Sequence, residues 1–391
     1  MNMSDQVWEG QRTVVPFAVL VVLAFICTMF FAPPAHADGG APQLAYVAGT
    51  AQGVSVIDIA QQKITSVITA GGDPHMVLLS TDARFLYVAQ PQAGRVAIIA
   101  AKTGSVFCTA SVPGQPSLLA LDGNSNTLFA AGNGASSISA IDPTNCAIKR
   151  TLQTNGPVYG LAIAAVAASV SSDSGNQLWV SSGDKLLVFD DLKGQQMGSV
   201  TIAGGPQYIS IPPGATVYVT TRQGSVFAVD LNSHRLEQLI TGGSYGPMDY
   251  DANTGEIYVP DRQHNQLVVL SPVNAGFAPP HEPARTIELG VSPQSVAITS
   301  DGQLGFVALA GGNVAMLDIP GRQLINTFHV GGNPHFIITG LYPPAIGTTP
   351  QQASILGTVI NIAAYIFVIA LLIVPILLFR RYARARRDAK P

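Results

Sequence analysis

The sequence of 391 residues predicts an all-β fold, a single seven-bladed β-propeller. The first observation is a Gly-x-Pro or Gly-Pro turn (Ser-Pro in one copy) that recurs with its prolines 41–49 residues apart. These prolines are Pro74, Pro116, Pro157, Pro206, Pro247, Pro293 and Pro334. The second observation is that each unit contains four short β-rich runs bounded by Gly, Asp, Asn and Pro. Periods near 40 residues with several strands per unit are typical of propeller blades rather than helical solenoids.

Each unit repeats the same order of strands. An apolar run follows the proline, as in residues 75–79, and a polar turn leads from it to an aromatic strand such as residues 86–88. A third strand alternates and commonly ends in Asp, as in residues 54–58, and a fourth, such as residues 64–68, runs to the next proline. Short runs of β-branched and aromatic residues between turn residues are typical of strands. The order therefore predicts one antiparallel four-stranded blade per unit.

The two ends of the repeat region predict how the ring closes. The first strand, residues 44–47, is of the aromatic type and has no post-proline strand before it. The last strand, residues 335–338, is of the post-proline type and has no aromatic strand after it. One blade is therefore predicted to combine three strands from the N-terminus with the innermost strand from the C-terminus. This pairing protects sheet edges that would otherwise be open.

These motifs resemble a known repeat family. The Tyr-Val strands, the strand at residues 54–58, the proline turns and the polar turn at residues 300–303 are similar to the YVTN-type β-propeller repeats of prokaryotic extracytoplasmic and surface proteins. The resemblance covers residues 44–339. It implies the propeller fold, but not one function, because such propellers serve as binding platforms, as housings for cofactors and occasionally as enzymes.

The N-terminal segment, residues 1–37, is predicted to be a signal peptide. Residues 14–32 are almost wholly apolar and are followed by the small-residue cleavage motif Ala35-His36-Ala37. The alternative is an uncleaved anchor, because the apolar run is long for a signal and the segment before it carries few basic residues. The propeller domain is then predicted to span residues 38–341.

The C-terminal segment is predicted to anchor the propeller in a membrane. Residues 355–379 contain no charged side chain, and about 20 apolar residues are enough to span the hydrocarbon layer as a helix. Residues 380–391 form a basic tail, which the positive-inside rule places in the cytoplasm. The linker before the helix, residues 342–354, reaches at most about 45 Å. We therefore expect a single-pass protein of the cell membrane with its propeller on the periplasmic or extracellular side.

The distribution of charge argues against one class of partner. The whole chain has a net charge of −3, although its C-terminal tail carries six basic residues against Asp388. The propeller region is therefore acidic, whereas nucleic-acid binding depends on neutralising phosphates with basic side chains. We expect no nucleic-acid partner.

Cys108 and Cys146 are the two cysteines outside the predicted signal segment. Both are predicted to lie on outer strands of successive blades. An exported domain with two cysteines favours a disulfide, because the compartment is oxidising. The predicted geometry argues against it, because outer strands of neighbouring blades splay apart and the Cα atoms of a disulfide lie within about 7 Å. The pairing stays open at this point. The chain has no Cys-x-x-Cys-His motif, which excludes c-type haem attachment.

His75 and His335 occupy the same post-proline position in blades that adjoin across the closure. That position lies at one mouth of the central channel, where two imidazoles could hold a metal or act as axial ligands of a haem-like group. The other interpretation is that histidine is merely preferred after the proline, at the edge of the turn. Each imidazole would then form a hydrogen bond to a neighbouring loop. Two ligands without a third make a weak metal site. We therefore predict no cofactor and no metal, and the two histidines remain weak candidates for a cofactor site.

The sequence favours a protein that is not an enzyme. No pattern joins a nucleophile to a general base, so no catalytic residue is predicted. The inner runs, such as residues 77–79 and 118–120, are almost uncharged and predict a packed channel. Hydrolysis of the lactonase type would instead need carboxylate, His and Arg side chains that face the channel.

Two blades carry insertions, residues 164–177 and 271–283, and long loops on a rigid scaffold are a common place for binding. We therefore predict that partner binding depends on these insertions more than on the channel. The leading hypothesis is therefore a binding or scaffolding module for another envelope protein or a membrane complex. The alternative is a cofactor- or metal-binding redox accessory protein, or a lactonase-like enzyme, that uses the channel mouth.

Overall fold

The computed structural model describes residues 44–165, 175–273 and 285–343. Within these ranges the chain forms seven four-stranded antiparallel sheets, each of which is one blade of a propeller. The predicted all-β, seven-bladed fold is therefore confirmed. The same ranges contain no helix long and apolar enough to cross a membrane. The predicted signal segment (1–37), membrane helix (355–379) and basic tail (380–391), and most of the linker, lie outside the described residues.

The strands have the following bounds. The innermost strands are β4 (Met76–Leu79), β8 (Leu118–Asp122), β12 (Val158–Ala164), β16 (Pro206–Ser210), β20 (Asp249–Tyr250), β24 (Pro293–Ile298) and β28 (Phe336–Gly340). The second strands are β1 (Leu44–Thr50), β5 (Phe85–Gln90), β9 (Thr127–Ala131), β13 (Gln177–Ser182), β17 (Thr216–Thr221), β21 (Ile257–Asp261) and β25 (Leu304–Leu309). The third strands are β2 (Gly53–Asp58), β6 (Arg95–Ala100), β10 (Ser137–Ile141), β14 (Lys185–Asp190), β18 (Ser225–Asp230), β22 (Gln266–Leu270) and β26 (Asn313–Asp318). The outer strands are β3 (Lys63–Thr69), β7 (Val106–Ser111), β11 (Ile148–Gln153), β15 (Gln196–Thr201), β19 (Leu236–Thr241), β23 (Arg285–Glu288) and β27 (Gln323–His329). A 3-10 turn (Pro91–Ala93) connects β5 to β6.

The core lies between adjacent blades. The second strand of a blade is buried on both of its faces, and its aromatic residue has almost no exposed surface in Tyr46, Trp179 and Tyr258. Large flat side chains at this position fill the space between one sheet and the next, which is why the sequence pattern places them there. The outer strands are largely exposed, in keeping with their more polar sequences.

The ring closes as the sequence predicts. The last strand, β28, pairs with the first, β1, in an antiparallel register that joins Gly340 to Leu44 and Phe336 to Ala48. The same sheet continues through β2 and β3. Backbone hydrogen bonds therefore hold the two ends of the domain together without a covalent link.

Because the strands alternate in direction, the propeller has two distinct faces. We call the face where the innermost strands begin the upper face; it carries the proline turns and the hairpins between second and third strands. The opposite, lower face carries the first-to-second and third-to-fourth turns. Leu44 and Gly340 both lie at the lower face, so the chain enters and leaves the propeller there. The predicted insertions also leave from the lower face, but residues 166–174 and 274–284 lie outside the described residues.

The structure joins Cys108 and Cys146 in a disulfide with a Cα–Cα distance of 6.0 Å. The prediction that both cysteines lie on outer strands is wrong for Cys146. Cys108 lies on β7, whereas Cys146 lies in the turn between β10 and β11, at a left-handed φ of 60°. This turn, unlike an outer strand, projects toward the neighbouring blade, so the splay of the outer strands does not separate the two sulfur atoms.

We expect the disulfide to stabilise the propeller by about 2–4 kcal/mol, because it closes a loop in the unfolded chain. Its two cysteines are 38 residues apart. The double substitution Cys108→Ser with Cys146→Ser should lower the free energy of unfolding in urea by this amount. The wild-type protein in reductant is the control and should show the same loss. An unchanged urea midpoint on reduction would show that the bond contributes nothing.

Candidate functional site

A cavity of about 700 Å³ opens at the upper mouth of the central channel. Its wall is built by the first residues of the inner strands and by the turns and hairpins above them. The expectation of a packed channel is therefore wrong for this mouth. The apolar inner-strand residues Val77 and Leu119 turn away from the channel and pack in the core between blades. The opening is lined by turn residues, many of them polar, together with inner-strand residues such as Leu118 and Phe336.

His75 and His335 meet at this mouth, as their shared repeat position predicts. Their rings stack with centroids 4.1 Å apart and an angle of 11° between planes. Gly49 makes room for this arrangement, because a Cβ at that position would lie 2.6 Å from Cδ2 of His335. Gly49 also has a φ of 81°, which residues with a Cβ rarely adopt. The closure of the ring thus sets the distance between the two imidazoles.

The environment of the pair keeps His75 neutral. The pKa of His75 is lowered to about 4, first by burial and then by the adjacent His335, whereas Asp73 opposes the shift and Arg262 adds a smaller lowering. A neutral imidazole can accept or donate one hydrogen bond or bind a metal through its free nitrogen. At neutral pH His75 therefore offers one nitrogen lone pair and one N–H donor and carries no positive charge.

Asp73 is a third functional side chain at the mouth that the sequence analysis missed. One carboxylate oxygen lies 3.6 Å from Nε2 of His335, and the other accepts a hydrogen bond from Nε2 of Gln92. Asp73 is the middle residue of the Gly-x-Pro turn that precedes His75. Its place in the repeat is therefore a signal that could have identified it.

Two arginines stack on tyrosines at the upper face. The guanidinium of Arg222 lies 4.5 Å from the ring centroid of Tyr159, and that of Arg262 lies 5.7 Å from the centroid of Tyr208. Each arginine lies in the hairpin between the second and third strands, and each tyrosine lies on the inner strand of the preceding blade. Stacking of this kind stabilises a cation by about 0.5–2 kcal/mol.

Arg222 and Arg262 differ in their relation to the cavity. Arg222 is exposed, donates to the carbonyl oxygen of Gly183 and is absent from the cavity wall. Arg262 is partly buried, lines the cavity and donates through Nη2 to the carbonyl oxygen of Gln294. Its Nε is buried and has no hydrogen-bond partner among the described residues. Arg262 is thus a cation inside the mouth with one unused donor.

The upper mouth brings together the groups that hydrolysis of the lactonase type would need. Asp73, the His pair and Arg262 supply the carboxylate, imidazole and guanidinium groups that the sequence analysis did not find facing the channel. They come from turns and hairpins rather than from the inner strands. In the described part of the chain, no three His, Cys, Asp or Glu side chains are gathered as metal ligands would be. The mouth therefore offers two imidazole nitrogens for a metal.

A second group of ionisable side chains lies at the lower face. Asp122 and Asp191 are both almost fully buried and share a hydrogen bond. Burial, followed by the neighbouring Asp122, raises the pKa of Asp191 to about 7. Burial also opposes ionisation of Asp122, but hydrogen bonds from Asp191, Ser125 and Asn176 outweigh it and lower its pKa to about 2. The pair thus holds one proton, which reduces the cost of burying two carboxyl groups together.

Comparison with known proteins supports the fold and no more. No protein-family model matches the chain, and no curated protein matches it by sequence. A putative 6-phosphogluconolactonase from Bacteroides uniformis is 16% identical, with a TM-score of 0.61, over 76% of this chain and 99% of that chain. Hydrazine synthase from Kuenenia stuttgartiensis is 18% identical, with a TM-score of 0.55, over 65% of this chain and 79% of that chain. A dihydro-haem d1 dehydrogenase in complex with DHE is 14% identical, with a TM-score of 0.55, over 76% of this chain and 75% of that chain. At these identities the likeness shows the propeller fold alone, and membership of the YVTN-type family stays a prediction.

The shared proton of Asp122 and Asp191 predicts how stability depends on pH. The pKa of Asp191 is raised in the folded protein, so its contribution to stability is present below about pH 4 and is lost as the pH rises through about 7. Asp191→Asn mimics the protonated form. We expect it to match the wild type at pH 4 and to be more stable by roughly 1–3 kcal/mol at pH 8.

The measurement is urea denaturation at both pH values. Ser125→Ala is the control, because it changes a neighbour of the pair, Oγ of Ser125 being 3.5 Å from Asp191, without removing an ionisable group. This control should keep the pH dependence of the wild type. If Asp191→Asn shows the same pH dependence as the wild type, the pair does not share a proton.

Proposed function

We propose that this protein is a non-catalytic binding module, held on the extracytoplasmic side of a membrane, that engages an envelope protein or membrane complex through its upper mouth. The observation that carries the proposal is the cavity of about 700 Å³ with polar and aromatic side chains at its wall. Concave sites of this size, with a few polar groups converging on apolar walls, are typical of binding. The absence of a predicted nucleophile favours binding over catalysis.

The position of the chain ends supports an orientation of this module. Both ends of the propeller lie at the lower face, next to Leu44 and Gly340. The uncharged run at residues 355–379 is our proposed anchor, and the linker between it and the propeller is short. Tyr342, the first residue of that linker, donates a hydrogen bond to Asp58 on the lower face. We therefore propose that the lower face points toward the membrane and that the upper mouth points away from it.

Chemistry at the upper mouth is the second candidate function. The specific observation in its favour is that Asp73, His335 and Arg262 face one cavity, as hydrolysis of the lactonase type would require. A metal or a redox cofactor bound by His75 and His335 belongs to the same candidate. It predicts stoichiometric metal, a visible absorbance band or turnover of a simple lactone by the purified protein. Each of these should be lost when His75→Ala is combined with His335→Ala.

We expect the propeller to be accessible from outside the cell membrane. A protease added to spheroplasts should digest the propeller and spare an epitope tag placed after Pro391, because the basic tail is proposed to lie in the cytoplasm. A cytoplasmic protein of the same cells is the control for membrane integrity. A propeller that resists the protease in spheroplasts but not in lysed cells would contradict this topology.

A side chain that fills the upper mouth should prevent partner binding. Ser117 lines the cavity, and Ser117→Trp adds a large side chain to its wall. We expect recovery of the partner from solubilised membranes to fall at least about tenfold, which corresponds to a loss of about 1.4 kcal/mol or more in binding free energy. Ser105→Trp is the matched control, because Ser105 is exposed in a lower-face turn between β6 and β7.

The same experiment tests the lower face. Shortening the insertions at residues 164–177 and 271–283 to the length of the sister loops should change the melting temperature little, because closure of a surface loop depends weakly on its length. The sequence predicts a partner site on these insertions, whereas our proposal places it at the upper mouth beside the cavity. We therefore expect partner recovery to survive both changes. Recovery that survives Ser117→Trp but is lost when the insertions are shortened would put the interface on the lower face.

A further inference from the structure

Arg262 reaches the upper mouth through contacts with two neighbouring blades. It lies in the hairpin between β21 and β22, its guanidinium stacks on Tyr208 of the preceding blade, and its Nη2 donates to Gln294 of the following blade. Gly246 leaves space for this path, because a Cβ there would lie 3.3 Å from Nη2 and 2.7 Å from the carbonyl oxygen of Gln294. Contacts on both sides thus fix the position of the cation.

The charge of Arg262 is not compensated within the described residues. No carboxylate in this part of the chain forms an ion pair with it, and its buried Nε has no hydrogen-bond partner. A buried donor without a partner destabilises its position, because it has given up its hydrogen bonds to water. An anion that enters the mouth would meet the charge of Arg262, which lines the cavity.

The other walls of the cavity limit the charge and shape of such an anion. Asp73 places a negative charge beside His335, so a group with two negative charges would be repelled on that side. One guanidinium matches one planar carboxylate, which can accept two parallel hydrogen bonds from it. Tyr208, Met248 and Phe336 also line the cavity and provide apolar surface for the group that carries the carboxylate.

We propose that the upper mouth binds a carboxylate attached to an aromatic or apolar group, with the carboxylate on Arg262 and the apolar group against Tyr208, Met248 and Phe336. This inference rests on the proposed function, because it names the chemistry that the mouth recognises. Two sources supply such a group: a free aromatic acid, and the C-terminal carboxylate of a polypeptide that ends in an aromatic residue. The shared chemistry is a single negative charge next to a flat apolar surface.

The test measures binding to the purified full-length protein in detergent by calorimetry. Benzoate and benzamide are a matched pair of the same shape that differ in charge. N-acetyl-phenylalanine and its amide are a second pair that represents a polypeptide C-terminus. We expect each acid to bind at least about tenfold more tightly than its amide, because only the acid pairs with Arg262. If benzoate binds more tightly than N-acetyl-phenylalanine, the source is a free aromatic acid; the reverse order identifies a polypeptide C-terminus. Inorganic phosphate should bind more weakly than either acid, because Asp73 repels the additional negative charge.

Arg262→Gln should remove the preference for acids over amides. Arg222→Gln is the matched control, because Arg222 also stacks on a tyrosine but does not line the cavity. This control should bind both acids as the wild type does. Arg262→Lys keeps the charge and should retain part of the preference. The melting temperature of Arg262→Gln should lie near that of Arg222→Gln, which would show that binding is lost while the fold is kept.

The outcomes separate this inference from the proposed function. If amides bind as tightly as acids, or if Arg262→Gln keeps the preference of the wild type, the mouth does not recognise a carboxylate and the inference is wrong. The effect of Ser117→Trp on partner recovery does not depend on that result. If the acids bind through Arg262 while Ser117→Trp leaves partner recovery unchanged, the carboxylate site stands and the proposed role of the mouth in partner binding is wrong.

Discussion

The hydrogen-bonded pairing of β28 with β1 is the constraint on which the rest of the molecule depends. It turns an open row of seven sheets into a ring, and it leaves the innermost strand of one blade at the C-terminal end of the domain. This pairing brings His335 against His75, which lies some 260 positions earlier in the chain. It also puts both chain ends at one face. The site at the upper mouth and the proposed membrane side are therefore consequences of a single strand pair.

The division of the propeller into two faces follows from strand direction. The upper face collects the proline turns and the hairpins that carry Asp73, Arg222 and Arg262, whereas the lower face collects the chain ends and the carboxyl pair of Asp122 and Asp191. Strand residues are used for packing between blades, so the side chains with chemistry are left to the turns. Cavity-lining residues such as Val158, Leu161 and Met248 also belong to the core between blades, so packing there holds the wall of the mouth in place.

The sequence was sufficient for the fold and for part of the site. The spacing of the prolines and the strand order predicted the blades and their closure, and the shared repeat position of His75 and His335 predicted their contact. The position of Cys146 was not predicted, because a shift of two residues moves a side chain from a strand into a turn. The contact of Arg262 with Tyr208 was also missed, because it crosses between blades and depends on side-chain direction. Equivalent Arg-Gln pairs at Arg222 and Arg262, each following a tyrosine in the blade before, were the signal that could have shown it.

The open cavity at the upper mouth is a result of the number of blades. Inner-strand residues such as Val77 and Leu119 pack sideways in the core between blades, so a contraction of the ring would disturb that packing. The mouth therefore stays open and its polar groups stay in place before any ligand arrives, which lowers the entropy that binding has to overcome. The same rigidity explains how a partly buried Arg262 with an unused donor persists: the core between blades stabilises a position that the arginine alone would not favour. The rigid wall thus holds the cation of Arg262 in position for a negatively charged ligand.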